Sequence, residues 1–475
     1  MAKGNTPRTR TERWLAAAIA LALGVRVALA ATLELGRDEA AYWYWAWHGL
    51  DASYSLLTGA LVRLSTAAFG DGAFAVRLPG LLAGVAAVAV VFRASRRLGA
   101  SREAGAALAL AASPWQLYAG TTLHPDAFLT LALLVAADQF ARGRIVVASL
   151  ACVAVAFAKF TGLVIFPAAV VWILVSRPGR ATTLASLSIL VAGAAVLLAS
   201  RDAEVLAGMR EFGRFDASVG VFGRVAWTLA GVALLGGPAL VTAVRGLAAS
   251  TAGPARSLAA SLLVFFAIFL LAGQPKANWF LPAFAVLLPV AAARYGVRGI
   301  RASVALSLAG ALLWLIPVRV PPAIDDLYAR HVGSREAAVS PTRSWTERRA
   351  EYHDTAVVDA TCAVVAAMRG GGTGGASVAP DAPIVSNDYG LAFQVAHRLG
   401  RRQVVRLPWD PVFARTVARE LRPGDDVLFV STTWEEAPRE WADAFAGATV
   451  HHESRHGARV LRIVEYLDFR GGSAR

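Results

Sequence analysis

The sequence predicts an α-helical polytopic membrane protein of about eleven spans that ends in a small α/β domain on the extracytoplasmic side. Two observations predict it. Hydrophobic residues fill 56% of the 475 positions and the mean hydropathy is +0.51, which is too apolar for one soluble domain and too long for a simple anchor. Apolar runs approaching the ~20 residues needed to cross a bilayer also recur as far as about residue 320, where the composition turns polar.

The chain opens on a basic segment, Met1 to Arg13, before the first run, Trp14–Thr32. Ala30-Ala31-Thr32 imitates a signal cleavage site, but the residues that follow favour an uncleaved first helix. Further runs follow at Phe74–Phe92, Ala104–Thr121, Phe128–Phe140, Ile145–Ala158, Leu163–Val175, Thr183–Ala199, Val221–Val244, Leu258–Gly273, Leu281–Ala292 and Val304–Val318. Alternate loops carry Lys3, Arg8, Arg10 and Arg13, then Arg93, Arg96, Arg97 and Arg102, then Arg142 and Arg144, Arg177 and Arg180, Arg245 and Arg256, and Arg294, Arg298 and Arg301. Basic loops stay inside, so the N-terminus is expected in the cytoplasm and the protein in the plasma (inner) membrane. An odd number of spans then places the Asp38, His124, Lys159 and Lys276 loops outside, with everything beyond about Pro321. The expected parts are a cytoplasmic segment 1–13, a multi-span region 14–320 and an extracytoplasmic α/β domain 321–475.

This distribution also accounts for the net charge of +14, so no nucleic-acid partner is implied. Cys152 lies in an apolar run and Cys362 in the polar tail, so neither a disulfide nor a zinc site is expected.

The first external loop, about Glu34 to Gly72, holds Tyr42-Trp43-Tyr44-Trp45-Ala46-Trp47-His48 and the amphipathic stretch Tyr54–Phe69. Aromatic rings with polar edges prefer the headgroup layer, which predicts interfacial helices here. The mixed-charge loop Ser200–Gly220 is a second candidate of this kind. In the tail, the glycine cluster Gly370–Gly375 lacks the Gly-Lys-Ser/Thr ending of a phosphate loop and reads as a linker. Strands are predicted at Ala382–Ser386, Gln403–Leu407, Asp426–Ser431, Thr449–His452 and Val460–Tyr466, and helices at Gly390–Leu399, Pro411–Glu420 and Ala437–Ala444. Asn387-Asp-Tyr-Gly390 after a strand reads as a turn cap or a binding turn.

Carboxylates at the ends of spans are costly unless they have a partner or a role. Asp38 and Glu39 stand at one such place, and Asp126 stands at another in the hairpin Thr121-Thr-Leu-His-Pro-Asp-Ala-Phe128, where an N-cap is the plain alternative. Lys159 and Lys276 lie in external turns, where a lysine taken alone snorkels to the interface. Two acids and two cations on one external face suit a phosphate-bearing lipid.

Five segments, in order and spacing across about the first 300 residues, resemble the GT-C glycosyltransferases that use polyprenyl-phosphate sugars, the bacterial relatives of protein O-mannosyltransferases and of the lipid A aminoarabinose transferase. They are Asp38-Glu-Ala-Ala-Tyr-Trp-Tyr-Trp45, Phe69-Gly-Asp-Gly-Ala-Phe-Ala-Val-Arg-Leu-Pro79, His124-Pro-Asp126, Ala158-Lys-Phe-Thr-Gly162 and Lys276-Ala-Asn-Trp-Phe-Leu-Pro-Ala-Phe284. One departure stands out: the His- or Lys-Pro-Pro segment usual in the first loop is here Tyr54-Ser-Leu-Leu57.

The resemblance implies transfer of a sugar to a hydroxyl of a cell-envelope acceptor with inversion, polyprenyl phosphate being the leaving group. It implies Asp38 as base, with Glu39 in reserve, and Asp126 as the group that orients the acceptor, assists the base or binds a divalent cation. Lys276 and Lys159 would stabilise the leaving phosphate, with Arg63 as a substitute for the altered stretch. Asn278 falls in the fifth motif, and His124 and Trp279 would line the sugar pocket. No other cofactor is implied. Two rival classes are a lipid or glycan transporter, for which Arg26 is the clearest mid-span charge, and a catalytically silent envelope scaffold.

Overall fold

The computed structural model describes residues 10–48, 55–98, 103–199, 253–272, 277–294, 355–369, 382–386, 389–400, 405–406, 427–431, 445–456 and 459–469, with isolated positions from 225 to 244 and at 305 and 309. The runs Val221–Val244 and Val304–Val318, the loop Ser200–Gly220, the Gly370–Gly375 cluster, and the helices Pro411–Glu420 and Ala437–Ala444 fall wholly or almost wholly outside these residues. So do Tyr54 and Lys276.

The elements in chain order are α1 (Arg10–Thr32), α2 (Arg37–His48), α3 (Leu56–Phe69), α4 (Ala73–Arg97), α5 (Glu103–Ala112), α6 (Pro114–Ala119), α7 (Pro125–Ala141) and α8 (Ile145–Ala158). A 3-10 turn, Phe160–Ile165, leads to α9 (Phe166–Ser176), α10 (Arg180–Ala199) and α11 (Pro254–Ala272). A second 3-10 turn, Ala277–Phe280, precedes α12 (Leu281–Arg294). There follow α13 (Thr355–Arg369), β1 (Ile384–Val385), α14 (Tyr389–Leu399), β2 (Val405–Arg406), β3 (Val427–Ser431), β4 (Phe445–His456) and β5 (Arg459–Phe469). The chain forms two compact units, one of Met1–Leu33, Asp51–Arg201 and Gly213–Arg319, the other of Glu34–Leu50, Asp202–Phe212 and Val320–Arg475.

The first unit is helical. Among the described residues, Ala73–Arg97 and Arg180–Ala199 are long and apolar enough to cross a membrane, and a third span is counted if Ala17–Thr32 is taken together with the helix after it. The expected run Ala104–Thr121 is two helices, because Ser113 Oγ caps α6 by accepting the Gln116 N–H at 3.3 Å and Pro114 occupies its first turn. The expected run Leu163–Val175 likewise begins as the 3-10 turn before α9. At the centre, α7 is buried along most of its length, packed against α4, α8 and α12. Its neighbours present Ala and Gly, which lets helix backbones approach. By contrast, α10 leaves Leu184, Val191 and Leu198 at least 60% exposed, the apolar surface expected where lipid is the neighbour.

Two buried arginines brace the bundle. Arg77, from the second family-like motif, donates to the carbonyls of Ala30 at 3.2 Å and of Leu33, satisfying oxygens that the end of α1 leaves open. Arg26 is wholly buried in a slot made by Gly84 and Gly120 and donates to the Ala111 carbonyl at the end of α5. A Cβ at Gly84 would fall 3.0 Å from Gly120 Cα and 3.2 Å from an Arg26 terminal nitrogen. Arg26, the clearest mid-span charge, is therefore built into helix packing.

The second unit contains a five-stranded sheet of order β2-β1-β3-β5-β4. Strands β2, β1 and β3 are parallel, and β5 runs antiparallel to both β3 and β4. Helix α14 makes the crossover between parallel β1 and β2. All five expected strands are present, with β4 longer than its β-branched centre suggested. Helix α13 was not anticipated; Val358, Val365 and Met368 repeat at helical spacing and enter one core with Ile384, Leu391, Val395, Leu428 and Ile463.

The aromatic segment of α2 is a packing seam within this unit rather than an interfacial belt. Trp43 is fully buried with its ring 4.9 Å from His397, and Tyr44 lies 4.9 Å from Phe393, both partners on α14. The Tyr44 hydroxyl accepts the Val405 N–H at 2.9 Å. Arg37 packs on Gly390, where a Cβ would sit 2.5 Å from Nε, so the Gly of the Asn387–Gly390 turn serves close packing.

Replacing Gly84 by Val should lower the stability of the detergent-solubilised protein by about 2 kcal/mol through overpacking of the Arg26 slot. Thermal unfolding of the two proteins side by side measures it, and an unchanged midpoint would mean that the slot is not close-packed.

Candidate active site

Three segments far apart in sequence meet at Asp126 in the first unit. The first is the hairpin into α7. His124 is its N-cap, and the ring Nδ1 accepts the Asp126 N–H at 3.2 Å. Asp126 is therefore not the cap: Pro125 takes the first helical position and Asp126 the second, with its carboxylate free to turn inward. The second segment is the break between α8 and the 3-10 turn, where Lys159 ends one helix and starts the other. The third is the 3-10 turn that carries Asn278 and Trp279.

Asp126 is 1% exposed, and so is Lys159. Lys159 Nζ donates to Asp126 Oδ1 at 2.9 Å, while Asn278 Nδ2 donates to Oδ2 at 2.8 Å. Lys159 thus does not snorkel to the interface. Its ammonium also lies 5.1 Å from the centre of the Trp279 ring, on whose face a cation is attracted. Burial pushes the Asp126 carboxyl up, but the Lys159 charge and the hydrogen bonds from Lys159 and Asn278 outweigh it and hold the group below the ordinary carboxylate range.

Around this core are aromatic walls. Trp115 and Tyr118, three residues apart on α6, lie 5.2 and 5.6 Å from the His124 ring. Phe266 lies 5.6 Å from Trp279. Trp115, Tyr118 and Phe266 were not singled out from sequence, although the Trp-x-x-Tyr spacing beside a Pro-capped helix start is a readable signal. His124, expected in a sugar pocket, commits one ring nitrogen to capping.

Ser55, in the stretch that departs from the family pattern, does local work. It caps α3, accepting the Thr58 N–H at 3.2 Å, and its hydroxyl donates to the Ala158 carbonyl at 2.7 Å, one residue before Lys159. The turn is also tight: the Gly162 N–H donates to the Lys159 carbonyl at 2.7 Å, and a Cβ on Gly162 would lie 2.5 Å from the Val155 oxygen. Arg63 is exposed on α3.

Asp38 and Glu39 belong to the second unit, in the first turn of α2. Glu39 is buried, and its Oε2 accepts the Gly36 N–H at 2.8 Å, the reach-back half of a capping box. Asp38, at the neighbouring position, is half-buried. The reserve base is therefore a helix cap, and Asp38 is the more open of the two acids.

A divalent cation does not suit Asp126 as it stands, since the buried Lys159 ammonium already neutralises it at 2.9 Å and Asn278 donates to its other oxygen. Among the described residues no group of three or more His, Cys, Asp or Glu side chains is arranged to hold a metal ion.

Residues 53–201 match the family model described as dolichyl-phosphate-mannose-protein mannosyltransferase, a range that contains Asp126 and Lys159. The fold is similar to that of ArnT from Cupriavidus metallidurans in the apo state, with a TM-score of 0.61 at 17% identity over 96% of this chain and 98% of that one. ArnT from the same organism bound to undecaprenyl phosphate gives a TM-score of 0.61 at 15% identity over the same shares. No curated protein matches in sequence.

Removing one member of the Asp126–Lys159 pair should cost about 3–5 kcal/mol by leaving a buried charge unpaired. The double variant Asp126→Asn/Lys159→Met should lose less than the sum of the two single changes. A thermal double-mutant cycle measures this, and strict additivity would refute the pair. Because folding lowers the Asp126 pKa, its stabilisation is complete above the free-carboxylate range near pH ~4 and fades as pH falls through the lowered value. In the Asp126→Asn protein that part of the acid loss should vanish.

Proposed function

With a mannosyltransferase-family segment at residues 53–201 and the membrane fold of ArnT as premises, we propose that this chain is a membrane glycosyltransferase of the GT-C type. It moves a sugar from a polyprenyl-phosphate donor to a hydroxyl of a cell-envelope acceptor, with inversion at the anomeric carbon. The observation that carries the reading is the convergence of three family-like motifs on one buried carboxylate, Asp126, held by Lys159 and Asn278. Lipid as donor carrier accords with ArnT having been crystallised with undecaprenyl phosphate.

In the reaction the acceptor oxygen attacks the anomeric carbon as the bond from that carbon to the phosphate oxygen breaks, and the leaving phosphate takes the electron pair. Asp38 accepts the hydroxyl proton. Asp126 is a positioning residue: it fixes the Lys159 ammonium and the Asn278 amide, so that donors are set before charge develops on the phosphate. Lys276, two residues before Asn278 in the chain, supplies the second cation for the leaving group. Trp279 contributes an aromatic face that suits a sugar ring. Catalysis proceeds on the extracytoplasmic face.

Purified protein reconstituted with radiolabelled polyprenyl-phosphate sugars and a crude envelope acceptor fraction should transfer label, and Asp38→Asn should reduce the rate at least about a hundredfold at matched folding. Lys276→Met should lower the rate with little change in stability. Equal transfer by wild type and Asp38→Asn would refute the base assignment. No transfer from any of a full panel of donors would refute the transferase reading.

A further inference from the structure

Helix α7 carries a second buried carboxylate at its other end. At 1.5 Å per residue Asp138 lies about 18 Å along the helix from Asp126, so it takes no part in the site above. Three arginines surround it: Arg93 and Arg97 from the last turns of α4, and Arg142, the C-cap residue of α7. Arg142 Nε lies 2.9 Å and Arg93 Nη2 3.5 Å from Oδ2, Arg97 pairs with Oδ1, and Gln139 Nε2 donates to Oδ2 at 3.0 Å. The Asp138 side chain is 1% exposed, whereas those of Arg93, Arg97 and Arg142 are 54%, 34% and 24% exposed.

The stoichiometry is unbalanced. A carboxylate offers about four lone-pair sites, and three guanidinium groups offer about fifteen N–H donors. Arg142 Nε, although close to the carboxylate and buried, is not aligned to hydrogen-bond with it. One negative charge thus faces three positive ones, whose side chains stay partly exposed. The cluster stands at the end of Ala73–Arg97, a helix long and apolar enough to cross a membrane, and the end of a span meets the headgroup layer. Exposed apolar side chains lie close by in sequence: Leu98 follows Arg97, and Val147 and Leu150 lie on α8, which begins three residues after Arg142.

We propose that Arg93, Arg97 and Arg142, pre-set by Asp138, bind the phosphate of an anionic phospholipid headgroup whose acyl chains run along these exposed apolar residues. Guanidinium forks match phosphate oxygens in pairs, and basic clusters at span ends favour anionic lipid by about 1 kcal/mol per arginine.

Native mass spectrometry of the full-length protein from mixed micelles of phosphatidylglycerol and phosphatidylcholine tests this. Wild type should retain phosphatidylglycerol over phosphatidylcholine by about fivefold or more. Arg93→Gln/Arg142→Gln should bring the two lipids to parity, Arg93→Lys/Arg142→Lys should keep most of the preference, and Arg96→Gln/Arg144→Gln should keep all of it. If the double Gln protein fails to fold, Arg93→Gln alone, at the most exposed of the three, should still halve the preference. Equal retention of the two lipids by wild type, an unchanged preference in the Gln variants, or displacement of the lipid by millimolar inorganic phosphate would each overturn the proposal.

Discussion

A carboxylate inside an apolar helix bundle survives as an anion only if its charge is matched and both oxygens are hydrogen-bonded, because the cost of removing it from water exceeds any single contact. Asp126 meets that demand with a lysine on one oxygen and an amide on the other. The demand in turn fixes the surroundings. The helix α8 must stop at Lys159, the turn after it must be tight enough to require Gly162, and the 3-10 turn before α12 must bring Asn278 to the same place. A membrane protein rarely keeps such a group without chemical use.

The same rule operates at the far end of α7, where Asp138 is buried among arginines. One central helix therefore carries a buried anion near each end, Asp126 paired with a lysine from the next helix break and Asp138 with arginines from α4 and from its own C-cap. At Asp126 the charges balance and the result is a rigid, aromatic-walled site. At Asp138 they do not balance, and three partly exposed arginines face one buried carboxylate.

The motifs that resemble the GT-C glycosyltransferases divide between chemistry and architecture. Arg77 closes the end of α1, Glu39 caps α2, and Trp43 and Tyr44 seat that helix against α14. Ser55, where the relatives usually carry a His- or Lys-Pro-Pro segment, ties α3 to the turn bearing Lys159. The altered stretch is thus part of the support of the site. Asp126, Lys159 and Asn278 form a hydrogen-bonded cluster within the first unit, to which the proposed function gives the chemistry, and Asp38 lies half-buried in the first turn of α2 in the second.

Much of the fold was legible from local pattern. Apolar runs marked α1, α4, α7 to α12 within a few residues, and alternating β-branched residues marked all five strands, since backbone hydrogen bonding in a helix and one-sided burial in a strand follow local periodicity. The acids and lysines at helix ends were legible too, because charge beside an apolar run is conspicuous. What the sequence left open was pairing. Lys159 reads either as a snorkelling lysine or as a phosphate-site cation, His124 as a sugar-pocket residue, and Asp126 either as an N-cap or as a site residue. Only tertiary packing, which joins positions 33 and 152 residues apart on one carboxylate, made the first an ion-pair partner, the second the cap and the third a buried anion. Contacts between distant segments depend on how helices cross, and helix crossing is set by the whole bundle rather than by any window of the chain.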